Sequence, residues 1–294
     1  MGLGPQVIAL YIQLKINGTF DGITRVLELG SQDIMFRGKQ VLGNYNSLMV
    51  KLFETFNCVV PSDADLERMV QGPAKDVYEY LGLKYNCLDV NEKYNSLVFD
   101  INFDEVSSEH KNKYDLVTNH GTTEHLINQF NGFKISHDFT RPGGLMLHVL
   151  PFTGYLDHGF FNYQPNLFTS LASYNSYEIL GMWINIDSHL SSMIPWQDKL
   201  LDYITLSPSC NSCLAVLMKK KNDSEFSVPF QSVFESTRID EISSRYSFST
   251  DAELYKNEKD GVLTIQHLQN TRGKLLAKEL VKRLKARIGR LFKG

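Results

Sequence analysis

The sequence predicts an α/β protein built on a doubly wound, mostly parallel seven-stranded sheet, with a helical C-terminal extension. Two observations predict it. From about residue 21 to 220, short apolar runs alternate with stretches of helical spacing, the pattern of successive β-α units. The chain of 294 residues, 43% hydrophobic and 21% charged, is also long enough for a substantial core.

The N-terminal "VIALYIQL" is apolar but short, with no basic residues before it and no small-residue cleavage signature. It reads as a helix or packing segment and not as a signal peptide. The first strand is Thr24 to Leu29, closed by Gly30. Helical spacing follows over 44–56 and again over 74–83, the second helix ending at Gly82. Residues 57–73 look like an insertion. "YNCLDV", "SLVFDI" and "YDLVTN" give strands two, three and four, ending near Asp89, Asp100 and Asn119. "TEHLINQFNGFKISHDF" (123–139) is expected to be one helix. The turn "RPGG" leads into strand five, "LMLHVLP"; "NLFTSLASYN" is helical, "YEILGMWINI" is strand six and "SCLAVLMKKK" strand seven. The domain is expected to run over 1–221, followed by a polar segment and a basic helix within 222–294. No internal repeat is visible.

Charge is uneven along the chain. Residues 272–294 carry nine Lys or Arg against the single acid Glu279, a local +8, which leaves −11 of the net −3 for the rest. An acidic body with a basic tail argues against nucleic acid as a partner of the whole protein. The tail places Leu276, Leu280, Leu284, Ile288 and Leu291 at helical spacing. That pattern suits a helix packed on its own domain, or one lying on an anionic membrane surface. No run of 18 apolar residues is present. Four cysteines are too few for a disulfide scaffold, so the expected location is the reducing cytosol, with the inner membrane face as a docking place. Cys210-Asn-Ser-Cys213 has zinc or redox spacing but no second pair.

In a doubly wound sheet, ligands sit beyond the carboxyl ends of the strands where strand order reverses. Glu28, Gly30, Asp89, Asp100, Asn119 and His120 fall at such ends. "RVLELGSQD" opens like a nucleotide loop, but only Gly30 is present where close approach to a pyrophosphate needs more glycines. A sulfonium cofactor has no phosphate. It presents a cationic methionine end, a ribose diol and an adenine, and a single tight turn suffices for it. Glu28, with Ser31 and Gln32 beside the turn, supplies negative field and polar contacts; Asp89 offers two acceptor oxygens to the diol, and Asp100 a contact for the adenine amino group.

On these residues the chain resembles the class I S-adenosylmethionine-dependent methyltransferases. "VLELGSQD" matches their first motif, (V/I)L(E/D)xG; "CLDV" matches the ribose-binding strand. "YDLVTNHGTTEHL" resembles the fourth-strand motif, and "RPGGLMLHVLP" the turn and fifth strand. The resemblance covers about 21–220. "NHGTTEH" with "HGFFNYQPNLF" is similar to a bacterial methyltransferase-like subgroup associated with surface-glycan genes. It implies a Rossmann-like methyltransferase fold, S-adenosyl-L-methionine as cofactor at Glu28, Gly30, Ser31, Gln32, Asp89, Asp100 and Asn119, and a small-molecule or glycan-precursor acceptor. The chain departs from the family at Gln32 and Ile34, which replace glycines. Its separation of Glu28 from Asp89 also exceeds the usual ~20 residues, an excess assigned to 57–73.

Methylation of a hydroxyl needs a base, and histidine suits neutral pH. His158, His125 and His120 are the candidates, with Tyr155, Asn162 and Tyr163 as acceptor contacts. The (D/N)PP(Y/F) signature of amino-group methyltransferases is absent, which tilts the acceptor toward oxygen. Plainer readings stand beside these. Glu124 and His125 fit a capping box with Thr122 or Thr123, and His148 fits a buried core histidine. The histidines match no standard metal-ligand spacing, so no metal is expected. A methyltransferase-fold binding protein without chemistry is the main alternative; a nucleotide-dependent oxidoreductase is disfavoured because only Gly30 remains of its phosphate loop.

Overall fold

The computed structural model describes residues 2–36, 42–186, 193–196 and 211–230. Helix α1 (Pro5–Ile16) is buried along most of its length, as an apolar segment with Pro at its start should be. Strand β1 (Arg25–Leu29) follows, then helices α2 (Leu42–Thr55), α3 (Asp63–Met69) and α4 (Ala74–Tyr80). Strands β2 (Lys84–Asp89), β3 (Ser96–Val98) and β4 (Tyr114–His120) lead to α5 (Gln129–Phe139) and β5 (Thr140–Thr153). The remainder is α6 (Pro165–Asn175), β6 (Tyr177–Ile186), the two-residue β7 (Ile194–Pro195) and β8 (Ser212–Lys220). The seven expected strands are present, β7 being an addition at the edge.

The sheet order is β3-β2-β1-β4-β5-β8-β6-β7. The first five strands are parallel, and β8 inserts antiparallel between β5 and β6. From β1 the chain runs outward to β2 and β3, then returns to β4 on the other side. The order therefore reverses between β1 and β4, whose carboxyl ends form the crevice of such folds. This is the doubly wound architecture that the resemblance implies.

Helices cover both faces, so the central strands read as nearly continuous apolar runs; every residue of β4 is buried. One core joins α1, α2 and α4 to the sheet through Tyr11, Phe53, Tyr78, Val26 and Leu116. The other places Phe133, Phe139 and Phe168 of α5 and α6 against Leu27, Val117 and Met146. Within 57–73 the chain builds α3, capped by Ser62 Oγ, which accepts from Asp65 N at 3.3 Å.

The helix expected over 123–139 is two elements. Thr123–His125 is a single 3-10 turn, and Leu126 leaves it in extended geometry. Helix α5 starts at Gln129, with Asn128 Oδ1 capping Asn131 N at 3.1 Å. The break is fixed by side chains that outbid helical continuity. Asn128 Nδ2 donates to Asn102 O at 2.8 Å, and Gln129 Nε2 donates to Thr123 O and Leu126 O, each at 2.7 Å.

Beyond β8, residues 222–230 lie along α5 and α6. Ser227 exchanges two hydrogen bonds with Asn175, and His137 Nε2 sits 2.8 Å from Ser224 O. The expected basic helix lies outside the described residues, as does Cys210. Among the described residues no helix is long and apolar enough to cross a membrane.

Candidate active site

At the end of β1 the chain turns at Gly30, whose φ of 71° lies in the left-handed region that glycine adopts without strain. Its N–H donates to Leu88 O at 2.8 Å, joining the loop to β2. Ser31 N donates to Asp89 Oδ2 at 3.0 Å, and Ser31 Oγ donates to the same oxygen. Asn91 Nδ2 holds Asp89 Oδ1 at 2.5 Å. Burial penalises this carboxylate, but the Ser31 and Asn91 hydrogen bonds outweigh it and keep its pKa below the ordinary value. The result is an ionised, oriented carboxylate at the carboxyl end of β2.

Glu28 does something different from what its position suggested. It is fully buried among Tyr11, Tyr78 and Tyr85, where Tyr85 OH donates to Oε2 at 2.6 Å and Gln32 N at 3.2 Å. Burial pushes its carboxyl up to about 8, so near neutrality it is largely uncharged. It ties the loop to β2 through its hydrogen bonds with Gln32 and Tyr85.

The space beside Gly30 is taken by the loop after β4. Thr122 Oγ1 donates to Leu29 O, and Gln32 Nε2 donates to Thr122 Oγ1 at 3.0 Å. A Cβ on Gly30 would come within 2.7 Å of Thr122 Oγ1. The glycine therefore admits a threonine side chain across the β1–β4 crevice.

Several candidate residues serve the framework. Asn119 is buried; its Nδ2 donates to Thr123 Oγ1 at 2.9 Å and lies 3.2 Å from His148 Nδ1. It shapes the turn after β4 from inside. His148 is a core residue between Phe133 and Phe168, held neutral by burial with its pKa down to about 3. His120 is buried on the α1 side, 3.5 Å from Tyr11 OH, and burial likewise lowers it to about 3. It does not join the other candidate histidines. Asp100 Oδ1 accepts from Asn102 N at 2.9 Å, forming an Asx turn after β3. Tyr163 is no surface contact: it is buried, its hydroxyl 2.7 Å from Gln129 Oε1 and 3.0 Å from Thr123 Oγ1, bracing the turn.

His125 and His158 do come together, with a partner that spacing alone did not reveal. Glu124 is fully buried, and its Oε1 lies 3.9 Å from both His125 Nε2 and His158 Nε2. Neither carboxylate oxygen has a hydrogen-bond partner, so the capping-box role is not realised. Desolvation raises its pKa to about 7. The two imidazoles meet edge to face, centroids 5.1 Å apart, and both are partly exposed. Burial holds each below its ordinary pKa, with His158 adding to the effect on His125, which favours the neutral imidazole in both.

The loop after β5 is shaped to deliver His158. Gly154, Tyr155 and Asp157 all have positive φ, of 72°, 51° and 57°. The left-handed conformation of Tyr155, costly for a bulky residue, is secured by contacts. Tyr155 N donates to Asn211 Oδ1 at 2.8 Å, and its hydroxyl meets Cys213 Sγ at 2.8 Å. Asn162 Nδ2 ties back to Gly154 O at 3.2 Å. Phe160 N donates to Glu124 O at 2.7 Å, locking this loop onto the turn after β4. Gly159 makes the approach possible, since a Cβ there would sit 2.9 Å from Glu124 Cγ. The pairing of Gly159 with Glu124 was the missed signal; "EH" and "HG" name both sides of it in the sequence, without showing that they touch.

No protein-family model matches the chain, and a search of curated proteins gives no match. Solved structures do resemble it. A SAM-dependent methyltransferase from Archaeoglobus fulgidus is 13% identical over 72% of this chain and 93% of its own, with a TM-score of 0.39. TehB from Haemophilus influenzae is 14% identical over 71% and 62%, at 0.38. Phosphoethanolamine N-methyltransferase 2 from Haemonchus contortus, in complex with S-adenosyl-L-methionine, is 11% identical over 71% and 52%, at 0.40. Likeness this distant assigns no residue a role. The class is defined by the chain's own doubly wound sheet, with a strand-end site at the β1–β4 reversal and a Glu-His-His cluster beside it.

Proposed function

We propose that the protein is an S-adenosylmethionine-dependent methyltransferase that acts on a hydroxyl of a small polar acceptor, a sugar of a glycan precursor. The observation that carries this reading is two groups that both lie at or beyond the carboxyl ends of the parallel strands, one closing β2 and one after β5. Asp89, ionised and held by Ser31, suits a ribose diol, and the neutral ring of His158 suits a hydroxyl proton.

The cofactor, when bound, supplies an electrophilic methyl group on a sulfonium that leaves as a neutral thioether. Asp89 would hold its diol end through a carboxylate already oriented by Ser31, and Asp100, whose Oδ1 accepts from Asn102 N, would have to meet the adenine from its turn after β3. Thr122 and Gln32 stand beside Gly30, and they would line the methionyl end in place of further glycines. Transfer then depends mainly on alignment and exclusion of water. His158 Nε2 takes the acceptor hydroxyl's proton, and Glu124 beneath it stabilises the imidazolium that forms. Tyr155 and Asn162 spend their polar contacts on the loop and position His158, leaving the acceptor to the histidines. An anionic-membrane contact through the basic residues of 272–294 belongs to the same reading.

A second reading has its own observation. Thr122 Oγ1 and the Gln32 amide close the crevice at Gly30, as suits a fold that binds and does not turn over. Thermal melting separates these from an oxidoreductase. S-adenosylhomocysteine should raise the melting temperature and NAD should not; the reverse pattern would overturn the assignment. Binding with no transfer to any hydroxylated acceptor would favour the second reading.

A further inference from the structure

We propose that Glu124, His125 and His158 form a binding site for a divalent transition-metal ion of the zinc or ferrous kind. The three ligand atoms lie within 4.8 Å of one another, and the carboxylate oxygen is 3.9 Å from each ring nitrogen. A centre equidistant from atoms so spaced lies about 2.5 Å from each, against metal–ligand distances of about 2.0–2.2 Å. A small inward movement of the two exposed imidazoles closes that gap.

The donor set is two imidazoles and one carboxylate, which selects first-row transition ions over magnesium or calcium, whose preferred ligands are all oxygen. Three protein ligands leave further positions open, the arrangement of catalytic sites and not of closed structural ones. Glu124 is the independent sign that something is bound here. A fully buried carboxylate with both oxygens lacking hydrogen-bond partners is costly, and its Oε1 lies 3.9 Å from a ring nitrogen of each histidine. The loop geometry serves the same end: Gly159 and the Phe160 N–H to Glu124 O bond clamp the two ligand-bearing loops together.

The site uses the cluster assigned above to methyl transfer but does not depend on that reading. With an ion in place, His158 is a ligand and no longer the base. Glu124, His125 and His158 would hold the ion, which would supply Lewis acidity to an acceptor hydroxyl in place of a protein base.

The test uses untagged full-length protein, stripped with chelator and titrated calorimetrically with zinc chloride alone. One zinc per chain should bind, and magnesium should not. His125→Ala and His158→Ala should each weaken zinc at least about tenfold while their metal-free melting temperatures match the wild type, since both side chains are partly exposed. Cobalt in place of zinc should give visible ligand-field absorption that His158→Ala abolishes. Absence of saturable zinc binding, or equal affinity in the wild type and the double histidine variant, would overturn the proposal. Because neither cofactor nor acceptor is present, the outcome is independent of whether the protein transfers methyl groups.

Discussion

Glu124 Oε1 stands 3.9 Å from His158 Nε2, although the two residues belong to different strand-end loops. Gly159 is what allows it. In Gly159→Ala the new Cβ would lie 2.9 Å from Glu124 Cγ and 3.0 Å from Glu124 O, and a backbone carbonyl already bonded to Phe160 N cannot yield cheaply. The expected cost is about 1–3 kcal/mol of stability, read by urea denaturation, with loss of zinc affinity as the companion measurement. A variant as stable as the wild type would show that the loops are not clamped.

His158→Ala should lower the methylation rate by roughly 10²- to 10⁴-fold and leave S-adenosylhomocysteine affinity unchanged. His125→Ala should cost less. Single-turnover assays with a hydroxylated acceptor measure both. Near-normal turnover in the His158 variant would remove it from the mechanism, and the buried His120 could not replace it.

The sheet was legible because its strands are buried on both faces and therefore appear as uninterrupted apolar runs; "YEILGMWINI" coincides with β6. The helix over 123–139 was misread because its break is made by Asn128 and Gln129, polar residues that a helix also accommodates, acting on partners elsewhere in the chain. Glu28 matched a cofactor motif by position, but the tyrosines that bury it come from α1, α4 and β2. Asp89 was legible as a strand-end acid; the Ser31 contact that orients it follows from the turn at Gly30. Tyr163 looked like an acceptor contact because its loop is polar, yet its ring belongs to the core. The Glu124–His158 contact spans two loops and is a tertiary fact.

The buried carboxyl of Glu28 gives stability a pH dependence. Its pKa is raised from 4.5 to about 8, so the folded state holds the proton more tightly than the unfolded chain. That contribution is full below about pH 4.5 and is lost as pH rises toward 8. Glu28→Gln should therefore gain stability relative to the wild type between pH 5 and pH 8 in denaturation experiments, pH values chosen at roughly the two ends of that window. Parallel curves for the two proteins would contradict this placement of the proton.

Removing residues 272–294 deletes nine basic residues. At roughly 1 kcal/mol per basic residue near an anionic surface, full-length protein should sediment with phosphatidylserine vesicles at low salt and the truncated protein should not. Equal sedimentation would remove the membrane from the account.

Calorimetric titration of S-adenosylhomocysteine into the wild type and Asp89→Ala tests the central claim most directly. Loss of charged hydrogen bonds worth about 1.5–3 kcal/mol each should weaken the variant by at least about tenfold, while circular dichroism and melting confirm its fold. Asp89→Asn, which keeps an acceptor for Ser31, should fall between the two. Wild-type protein that binds S-adenosylhomocysteine, with this ranking of variants, is the predicted result. No binding to the wild type, or equal affinity in all three proteins, would contradict a cofactor site at the carboxyl ends of β1 and β2.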